Sequence, residues 1–500
     1  MSGYIYSAEA VREWDNYTLL EQNISSIELM NRAAAALVHH FRLAEPHPCR
    51  VLLVAGPGNN GGDAIAMARL LHEQRYPVQL YRLPAQNYSV DHQAQWELAQ
   101  AASVPMISEL DLFQLQHVDW VVDGLLGNGI NRAAEGDFAR CIALINQWEL
   151  PVFSIDLPSG LPGAGAFDHH WPVIKARITA CLAPYKFNLL LPPAANFVGE
   201  VVLVDIGLSK RFRHLDRLAE VIQPSAEQPL LPIRKRFSHK GSHGHALIIA
   251  GSAGYYGAAL LAARACVLAG AGLTTAAIPA SFQTAFSASL PEAITITTGS
   301  TFWEAALPLL PYQAIGVGMG IGQHSTSQEA LLQLLRDYKG PLLLDADALN
   351  VLSSLGTTGK EAIPKGSVLS PHPKEFDRLF GIQPHWWARL ERLQAAAEEL
   401  QCTILLKNAY TFVASPGKPL QVNLTGNAGL AKGGSGDVLS GIITALLAQG
   451  LSAFDAARLG VWLHGTAADA ALLNSSLESL TPSAVINALP AAFQQLRLTK

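Results

Sequence analysis

The sequence predicts two α/β domains in series, each built on a mostly parallel sheet that helices cover on both faces. Short apolar segments alternate with helical segments in two successive series along the chain. A proline-rich break separates the two series, and each series contains one glycine-rich loop that leads from a strand into a helix. Strands that alternate with helices favour a parallel sheet, because a parallel pair needs a crossover connection. The 500 residues also exceed what one hydrophobic core usually holds.

The first series of strands begins after a helical segment at residues 7–41. Its predicted strands are residues 51–55, 78–83, 120–123, 152–155, 176–182 and 201–205. Helical segments at 65–74 and 91–102 lie between some of these strands. The strands are nearly continuous apolar runs, as a sheet covered on both faces requires.

Residues 209–236 interrupt this alternation and predict a domain boundary. Pro224, Pro229 and Pro232 stand among polar residues there, and a short basic run follows them. We therefore expect a first domain at 1–218 and a second at 222–500. The strands predicted in the second domain are residues 246–250, 274–278, 314–317, 341–345, 367–369 and 403–407. A helix-rich tail follows at 437–473.

Charge and composition exclude several classes of function. The net charge is −5 and no block of Lys and Arg is present, so we expect neither a nucleic-acid nor a membrane partner. The five cysteines are scattered without a CxxC pair, which favours a cytoplasmic location over a disulfide framework or a zinc site. The N-terminus has no apolar segment typical of a signal peptide. The most apolar long segment, 258–278, carries Arg264 in its middle, so we interpret it as a packed helix that enters a strand.

The first glycine-rich loop, GPGNNGGD at residues 56–63, follows the first predicted strand. Glycines there let the backbone approach a phosphate, while the next helix offers its N-terminal N–H groups. A plain strand–helix turn is the alternative. Asp123 and Asp156 end two further strands, in DGLLGNG and SIDLPSGL, and the carboxyl ends of parallel strands meet at one crevice. Helix capping is the alternative for both carboxylates.

These three segments resemble the YjeF-type NAD(P)HX epimerase domain, over about residues 1–215. The resemblance implies a Rossmann-like doubly wound sheet, with Asp156 at the reacting ring as the catalytic residue. It implies that the hydrated nicotinamide nucleotide binds at Asn59, Asn60, Gly61, Gly62, Asp63, Gly127, Asn128, Gly129, Ile130, Asn131, Arg132, Ala133 and Asp156. It also implies a potassium ion held by oxygen atoms of Asn60, Asp123 and Ser159. Two departures from the family pattern are Ala64, where Gly is usual, and the run from Asn31 to Ala34.

The second glycine-rich loop, AKGGSGD at residues 431–437, also precedes an apolar helix. Its N–H groups suit a phosphoryl group in transfer, and Asp437 is placed to accept a hydroxyl proton. We expect the helix dipole to lower the pKa of Asp437. A helix N-cap aspartate is the alternative. The segment resembles the anion hole of ribokinase-like small-molecule kinases.

Further segments of the second half agree with this resemblance. They are the glycine-rich run 318–322, LDADALN at 344–350, SPHPKEF at 370–376 and KNAYT at 407–411. Together they resemble the ADP-dependent NAD(P)HX dehydratase, a ribokinase-like α/β domain, over about residues 225–500. The resemblance implies that substrate binds at Ala258, Gly320, His372 and Asp437, and that nucleotide binds at Lys407, Asn408, Ala409, Tyr410, Thr411 and Gly436.

Three features of the second half leave alternatives open. His372 alone is as easily explained as a structural histidine as a ligand-binding one. The segment from His239 to His245 is a weak zinc candidate, and we interpret it as a glycine loop facing nucleotide or as the lead-in to a strand. Ser435 replaces the commoner Thr and keeps the hydroxyl, while Lys374 replaces a Gly with no evident consequence.

The whole chain thus resembles bifunctional NAD(P)H-hydrate repair enzymes. The resemblance implies that the first domain interconverts R and S hydrates of NADH and NADPH (NADHX and NADPHX). It implies that the second dehydrates the S form while ADP becomes AMP and phosphate, with Mg²⁺ at the diphosphate. We also expect a homo-oligomer. The alternatives are a small-molecule kinase with a regulatory first domain, and a nucleotide sensor without catalysis.

Overall fold

The computed structural model describes residues 3–109, 118–214 and 217–498. The chain divides into two compact units, Met1–Ala219 and Glu220–Lys500. Both units are α/β, which confirms the predicted fold class. Residues 215 and 216 of the predicted linker lie outside the described residues. Within the described ranges no helix is both long enough and apolar enough to cross a membrane.

The first unit contains one parallel sheet with helices between its strands. The strands of this sheet are β2 Val51–Ala55, β3 Val78–Arg82, β4 Met106–Ile107, β5 Trp120–Gly124, β6 Val152–Ile155, β7 Ile178–Leu182 and β8 Glu200–Val204. A short strand, β1 Tyr4–Tyr6, precedes α1 and does not belong to this sheet. Its helices are α1 Ala8–Gln22, α2 Ser26–Ala44, α3 Asn59–Glu73, α4 Val90–Ala101, α5 Gly136–Gln147 and α6 Ala195–Val198. The sheet order is β4-β3-β2-β5-β6-β7-β8.

The strand order of this sheet reverses between β2 and β5. From β2 the chain builds outward through β3 and β4, then returns to β5 on the other side of β2. In parallel α/β sheets, ligands bind beyond the carboxyl ends of the strands at such a switch point. The loops after β2 and β5, which the sequence singled out, flank this position.

The predicted helical segment at 7–41 is two helices rather than one. Asn23 ends α1 in the left-handed conformation, with φ 51°, and its N–H bonds back to the last turn. Ser25 then caps α2 in a capping box with Glu28. The buried face of α2 packs Phe41 edge-on against Trp120 and Phe153 of the sheet.

The second unit contains a longer, mixed sheet. Its strands are β9 Arg217–Val221, β10 His245–Ile249, β11 Leu273–Ile278, β12 Ile294–Thr297, β13 Ala314–Val317, β14 Leu342–Leu344, β15 Val368–Leu369, β16 Thr403–Leu406, β17 Thr411–Ala414 and β18 Gln421–Asn423. These strands lie in the order β9-β18-β17-β16-β15-β14-β13-β10-β11-β12. The pairs β16–β17 and β17–β18 are antiparallel. The sequence did not predict this antiparallel extension.

The helices of the second unit follow the predicted alternation. They are α7 Pro224–Glu227, α8 Tyr256–Leu268, α9 Gln283–Ser289, α10 Ser325–Asp337, α11 Asp347–Ser354, α12 Gly356–Glu361, α13 Pro373–Phe380, α14 Trp386–Leu400, α15 Ser435–Ala448, α16 Ala453–Ala471 and α17 Pro482–Leu498. Helix α8 leads into β11, as the interpretation of residues 258–278 predicted.

Helix α15 runs through the core of the second unit, and nearly all its residues after Asp437 are buried. A Cβ atom at Gly441 would overlap the carbonyl oxygen of Ala262, so this glycine lets α15 press against α8. Contact on all sides of α15 holds its first turn, which carries Asp437, in a fixed place.

Strand β9 generates a prediction about fragments of the chain. The predicted second domain starts at 222, directly after β9, although Glu220 and Val221 pair with β18 and Val221 is buried. A fragment 222–500 loses this burial, which is worth about 2 kcal/mol. We expect it to melt roughly 4–8 °C below a fragment 217–500. Thermal unfolding followed by circular dichroism is the measurement, and equal melting temperatures would contradict the prediction.

A fragment 1–218 should unfold cooperatively by itself.

Candidate active sites

The first candidate site is a cavity of about 570 Å³ in the first unit, at the carboxyl ends of β2, β5, β6 and β7. Eight residues predicted to bind nucleotide line it: Asn59, Asn60, Asp63, Gly127, Asn128, Gly129, Ile130 and Asp156. The lining does not include Gly61 and Gly62 within α3, or Asn131, Arg132 and Ala133 further along the loop after β5. The structure therefore brings the predicted glycine loops to one crevice.

Close backbone contacts give these two loops their shape. A Cβ at Gly56 would overlap the carbonyl oxygen of Leu125, and a Cβ at Gly61 would overlap that of Gly56. The helix α3 therefore begins directly beside the loop after β5. Its N-cap residue, Gly58, has no side chain to accept from the first N–H groups, which remain available to an anion.

Asp156 and Lys186 form a buried ion pair in the cavity. The Lys186 ammonium donates to the Asp156 carboxylate and to the carbonyl oxygen of Leu182. Burial alone would lower the pKa of Lys186, but the carboxylate of Asp156 outweighs it and the pKa is raised. Asp156 itself adopts φ 65°, which side chains other than Asn and Asp rarely accept. Sequence reasoning missed Lys186, because a single lysine after a strand carries no pattern.

Helix α1 adds two charged residues that the sequence did not single out. Arg12 and Asp15 line the cavity together with Ala8 and Val11, so one face of α1 is turned to it. Burial raises the pKa of Asp15 to about 6, and the charge of Asp156 adds to this while Lys186 opposes it. In the sequence, only the helical spacing of Arg12 and Asp15 could have indicated this position. Charged residues on a solvent-exposed helix face have the same spacing, so the pattern does not identify a site.

Asp63 completes the group of carboxyls in the cavity. It lies in α3 and is buried. Burial, and after it the charges of Asp156 and Asp15, raise the pKa of Asp63 well above its usual range. This shift favours the protonated form of Asp63, in which a carboxyl can donate a hydrogen bond.

The three residues predicted to hold potassium meet around the backbone of Leu126. Asn60 donates to the carbonyl oxygen of Leu126 at 2.9 Å, and the Leu126 N–H donates to the hydroxyl of Ser159 at 2.8 Å. That hydroxyl donates to Asp123 at 2.6 Å. Asp123 is completely buried and accepts further bonds from Ser154 and from backbone N–H groups. Burial raises the pKa of Asp123, although these hydrogen bonds oppose it.

The two departures in the first half have structural explanations. A Cβ at Gly124 would lie 2.6 Å from the Cβ of Ala64, so Gly124 makes room for the extra methyl group. Asn31 accepts hydrogen bonds from Arg69 and Gln95 at 3.1 Å and 3.0 Å. It therefore joins α2 to α3 and α4 and does not line the cavity.

The second candidate site lies at the start of α15. Gly434 is its N-cap with φ 95°, and Asp437 stands in its first turn. Burial raises the pKa of Asp437 to about 7, with further contributions from the charges of Asp345 and Asp347. The expected lowering of the pKa by the helix dipole was wrong, because burial of Asp437, together with the charges of Asp345 and Asp347, raises the pKa instead. A carboxyl that titrates near neutral pH suits a general base.

Asp345 and Lys407 form the ion pair of the second site. The Lys407 ammonium lies 2.7 Å from Asp345, and the hydroxyl of Ser440 donates to the other oxygen of that carboxylate at 2.6 Å. A Cβ at Gly436 would lie 3.5 Å from the Lys407 ammonium. The structure thus brings Lys407 and Gly436, which were assigned to the nucleotide, close to Asp437, which was assigned to the substrate.

The segment 407–411 turns from β16 into β17. Asn408 and Ala409 are exposed at its tip, Tyr410 is half-buried, and Thr411 begins β17. Burial raises the pKa of the Tyr410 hydroxyl. Lys407 therefore points to Asp345, while the rest of the segment offers a surface beside it.

His372 caps helix α13. Its Nδ1 atom accepts from the N–H groups of Lys374 and Glu375, and the Glu375 carboxylate accepts from the His372 N–H at 2.8 Å. His372 therefore has a structural role as the cap of α13. Its ring also lies close enough to Lys407 and Asp345 for their charges to affect its pKa. Lys374 is exposed, and nothing in the structure assigns it a role.

Ala258 and Gly320 lie side by side. A Cβ at Gly320 would lie 3.3 Å from the Cβ of Ala258 and 2.8 Å from that of Tyr255. The hydroxyl of Ser252 donates to the carbonyl oxygen of Gly320 at 2.8 Å, and Asp347 accepts from Gly322 at 2.9 Å. These contacts join the glycine-rich run 318–322 to the start of α8 and to α11.

The segment from His239 to His245 is the lead-in to β10. His239 caps a short helical turn, and His245 bonds to Thr275 at 2.8 Å on the neighbouring strand. Among the residues with described side chains, one group of His and acidic residues is close enough to hold a metal: the exposed Asp168, His169 and His170. The histidines between His239 and His245, which the sequence offered as a weak zinc candidate, are therefore not the group that could hold a metal.

Comparison with family models places known domains on both units. Residues 26–187 match the model of the YjeF-related protein N-terminus. Residues 246–491 match the model of NAD(P)H-hydrate dehydratase. One match contains Asp156 and Lys186 of the first candidate site, and the other contains Asp345, Lys407 and Asp437 of the second.

Curated relatives match almost the whole chain. The bifunctional NAD(P)H-hydrate repair enzyme of Moorella thermoacetica is 33% identical, with 99% of this chain and 97% of the relative covered. The enzyme of the same name from Coxiella burnetii is 34% identical, with 93% and 94% covered.

Solved structures match the second unit. The ADP/ATP-dependent NAD(P)H-hydrate dehydratase of Bacillus subtilis, co-crystallised with ATP and Mg²⁺, has a TM-score of 0.50 and is 31% identical. The match covers 55% of this chain and 97% of that one. A ribokinase-like superfamily protein of Enterococcus faecalis has the same fold, with a TM-score of 0.50, 24% identity, and coverage of 58% of this chain and 100% of its own.

Proposed function

Because the chain belongs to the family of bifunctional NAD(P)H-hydrate repair enzymes, we propose that each unit holds one complete active site, around Asp156 and around Asp437. One observation carries this proposal: each unit places a lysine paired with a buried aspartate, and a further carboxyl of raised pKa, beside its own glycine loop. Metabolite repair is thus the activity of the chain, and the residue roles below are the proposal.

The dehydration has to overcome a poor leaving group. A hydrate of NADH or NADPH carries a hydroxyl at C6 of the ring, and hydroxide leaves reluctantly. In our proposal Asp437 takes the hydroxyl proton while the oxygen attacks the β-phosphorus of ADP and AMP departs. The ring nitrogen then expels phosphate, and loss of a proton from C5 completes the double bond. The N–H groups at the start of α15 stabilise the charge that develops in this transfer.

Lys407 and Asp345 set the electrostatics of this step. Lys407 is bonded to Asp345, so its positive charge lies beside the glycine loop without neutralising Asp437 directly. Burial, and after it the charges of Asp345 and Asp347, raise the pKa of Asp437 to about 7, although Lys407 opposes this. A base of this strength can hold the substrate proton and release it at cellular pH.

A magnesium ion fits the carboxylates of this site. Mg²⁺ usually binds one or two carboxylates together with substrate phosphates and water. Asp345 and Asp347 stand at the start of α11, and both influence Asp437, so all three carboxyls face a common region. Asp345 and Asp347 would hold the ion, which would neutralise charge on the diphosphate. The Mg²⁺ of the Bacillus subtilis relative supports this assignment.

For the epimerase we propose that Asp156 acts as an acid or base toward the oxygen bound to C6 of the hydrate. Lys186 holds its carboxylate in place through the buried ion pair. The free N–H groups at the start of α3 and the guanidinium of Arg12, 3.6 Å from the position of a Cβ on Gly129, would bind the diphosphate. The cavity of about 570 Å³ has room for part of a dinucleotide.

A potassium ion fits the oxygen atoms around Leu126. Within the described ranges, the side chain of the buried Asp123 accepts from hydroxyl and N–H groups and not from a lysine or arginine. Each of the three predicted ligands offers a side-chain oxygen atom, and oxygen ligands suit a hard monovalent cation. Asn60, Asp123 and Ser159 would hold it and would fix the loop after β5 that lines the cavity.

The cytoplasmic location and the homo-oligomer are further proposals. Burial raises the pKa of the thiols of Cys141, Cys181, Cys266 and Cys402 to about 11 or 12, so these cysteines are inert. This supports a reducing compartment. Light scattering of the full chain would test the oligomer.

Asp437→Asn should abolish dehydration and keep nucleotide binding, because the amide has the same shape but accepts no proton. Loss of a general base slows turnover about 10²–10⁴-fold. The assay is the return of reduced-nicotinamide absorbance from S hydrate with ADP, and with ATP in a parallel arm.

In the wild type, kcat/KM for dehydration should fall as pH drops below about 7, where Asp437 becomes protonated. Turnover above about a tenth of wild type would reject the role. Glu361→Gln, an exposed carboxyl of the same unit, is the control.

Asp156→Ala should leave dehydration of pure S hydrate unchanged, since that reaction occurs in the other unit. With a mixture of R and S hydrates and ADP, only the S fraction should disappear rapidly. The R fraction should decay at the spontaneous epimerisation rate, which chromatography of the two hydrates measures. Clearance of the whole mixture in one fast phase would show that Asp156 is not essential.

Epimerisation in the wild type should depend on potassium, and Asp123→Asn should remove this dependence, because the charge that offsets the cation is lost. The measurement is the rate of the R phase in potassium chloride against choline chloride at equal ionic strength. Asp168→Asn, an exposed carboxyl of the same unit, should keep the wild-type response. Equal wild-type rates in the two salts would contradict the assignment.

A further inference from the structure

The cavity of the first unit holds more carboxyls than the proposed reaction has used. Asp15, Asp63 and Asp156 line it, and Lys186 and Arg12 are the basic residues of the same lining. The three carboxyls influence one another electrostatically, so they lie close together. A buried group of this kind cannot be fully ionised, and one or more of its members holds a proton.

The hydrogen bonds of Lys186 distinguish Asp156 from Asp15. The ammonium donates to Asp156 and to the carbonyl oxygen of Leu182. Asp15 therefore receives only the longer-range attraction of Lys186, which is weaker than the effect of burial, and its pKa is raised to about 6. The lysine thus holds Asp156 in a direct ion pair and leaves Asp15 without one, so Asp15 is the carboxyl placed to exchange a proton.

Epimerisation makes a demand that one carboxyl does not meet easily. The hydroxyl at C6 must leave from one face of the ring and return to the other, so a proton is needed on one face and must be removed on the other. Asp15 comes from α1, whereas Asp156 follows β6. Two proton-carrying groups on different elements of one cavity suit this exchange.

We propose that Asp15 is a second catalytic residue of the epimerase, which exchanges a proton with the C6 hydroxyl on the face that Asp156 does not serve. This inference rests on the epimerase site proposed above. The Asp15 proton converts the hydroxyl to water, the C6–O bond breaks, and the ring-nitrogen lone pair forms the N1=C6 bond. Water then adds to C6, the N1=C6 electrons return to nitrogen, and Asp156 takes the proton of that water. Solvent exchange, or turnover in the reverse direction, restores both carboxyls.

The neighbouring charges support Asp15 over Asp63 for this task. The charged groups that face Asp15 are Lys186, Asp156 and Asp63 on other elements, and Arg12 on its own helix. Burial sets the pKa of Asp15 at about 6, near cellular pH, so it can both give and take a proton. Burial, and after it the charges of Asp156 and Asp15, raise the pKa of Asp63 well above its usual range, which makes it the less suitable of the two carboxyls to release a proton.

The test is Asp15→Asn in the full chain, with an R and S mixture and ADP. We expect a normal fast S phase and an R phase slowed about 10²–10⁴-fold. Asp15→Glu, which restores the carboxyl, should recover part of the R-phase rate. Glu9→Gln removes an exposed carboxyl of the same helix outside the cavity, so both phases should stay normal. A normal S phase and cooperative unfolding show that Asp15→Asn folds, and Asp15→Ser replaces it otherwise.

A pH profile separates catalysis from a structural role. In the wild type, the R-phase kcat/KM should fall as pH rises above about 6, because Asp15 then loses the proton it must give. Asp15→Asn should lack this limb. An R phase within about threefold of wild type would overturn the inference, as would loss of the limb in Asp63→Asn instead. If Asp156→Ala also leaves the R phase fast, the proposed site itself fails; if Asp156→Ala is slow and Asp15→Asn is fast, only this inference fails.

Discussion

Both sites depend on the close approach of glycine backbone to a neighbouring loop at the carboxyl ends of central strands. In the first unit Gly56 touches the carbonyl of Leu125, and in the second Gly318 touches that of Asp345. A side chain at either position would push the two loops apart. The contact places Asn60 beside Leu126 in one unit and Asp345 beside Lys407 in the other. The polar groups can therefore take these positions because the neighbouring residues are glycines, which leave room for the two loops to approach.

The two units arrive at the same electrostatic arrangement on different sheets. In each, a lysine binds one buried aspartate, and burial raises the pKa of a nearby carboxyl, to about 6 for Asp15 and about 7 for Asp437. A carboxyl whose pKa lies near neutral pH is typical of acid–base catalysis. In both units the lysine makes its hydrogen bond to the other aspartate, so burial of the second carboxyl is not offset by a direct ion pair.

The fold and much of each site could be predicted from the sequence, because apolar strands and glycine loops are local patterns. Gly127 to Ile130, Asp156 and Asp437 end or follow elements that the alternation already defined. Lys186 and Asp15 could not be found in this way, since their meaning comes from residues distant in sequence. The raised pKa of Asp437 escaped prediction for the same reason: the helix dipole is local, whereas Asp345 belongs to another element. The hairpin of β16 and β17 was missed because its turn, 407–410, has no glycine.

The left-handed backbone of Asp156 also limits how this position can change over evolution. With φ 65°, the position tolerates Asn and Gly well, and both lack a carboxyl. Glu would keep the acid but carries the strain that most side chains meet in this conformation. The substitutions that the backbone accepts most readily therefore remove the carboxyl, and the one that keeps a carboxyl strains the backbone. With the catalytic role proposed for Asp156, drift at this position has no gradual route: a lineage would either retain the aspartate or lose the reaction in a single step.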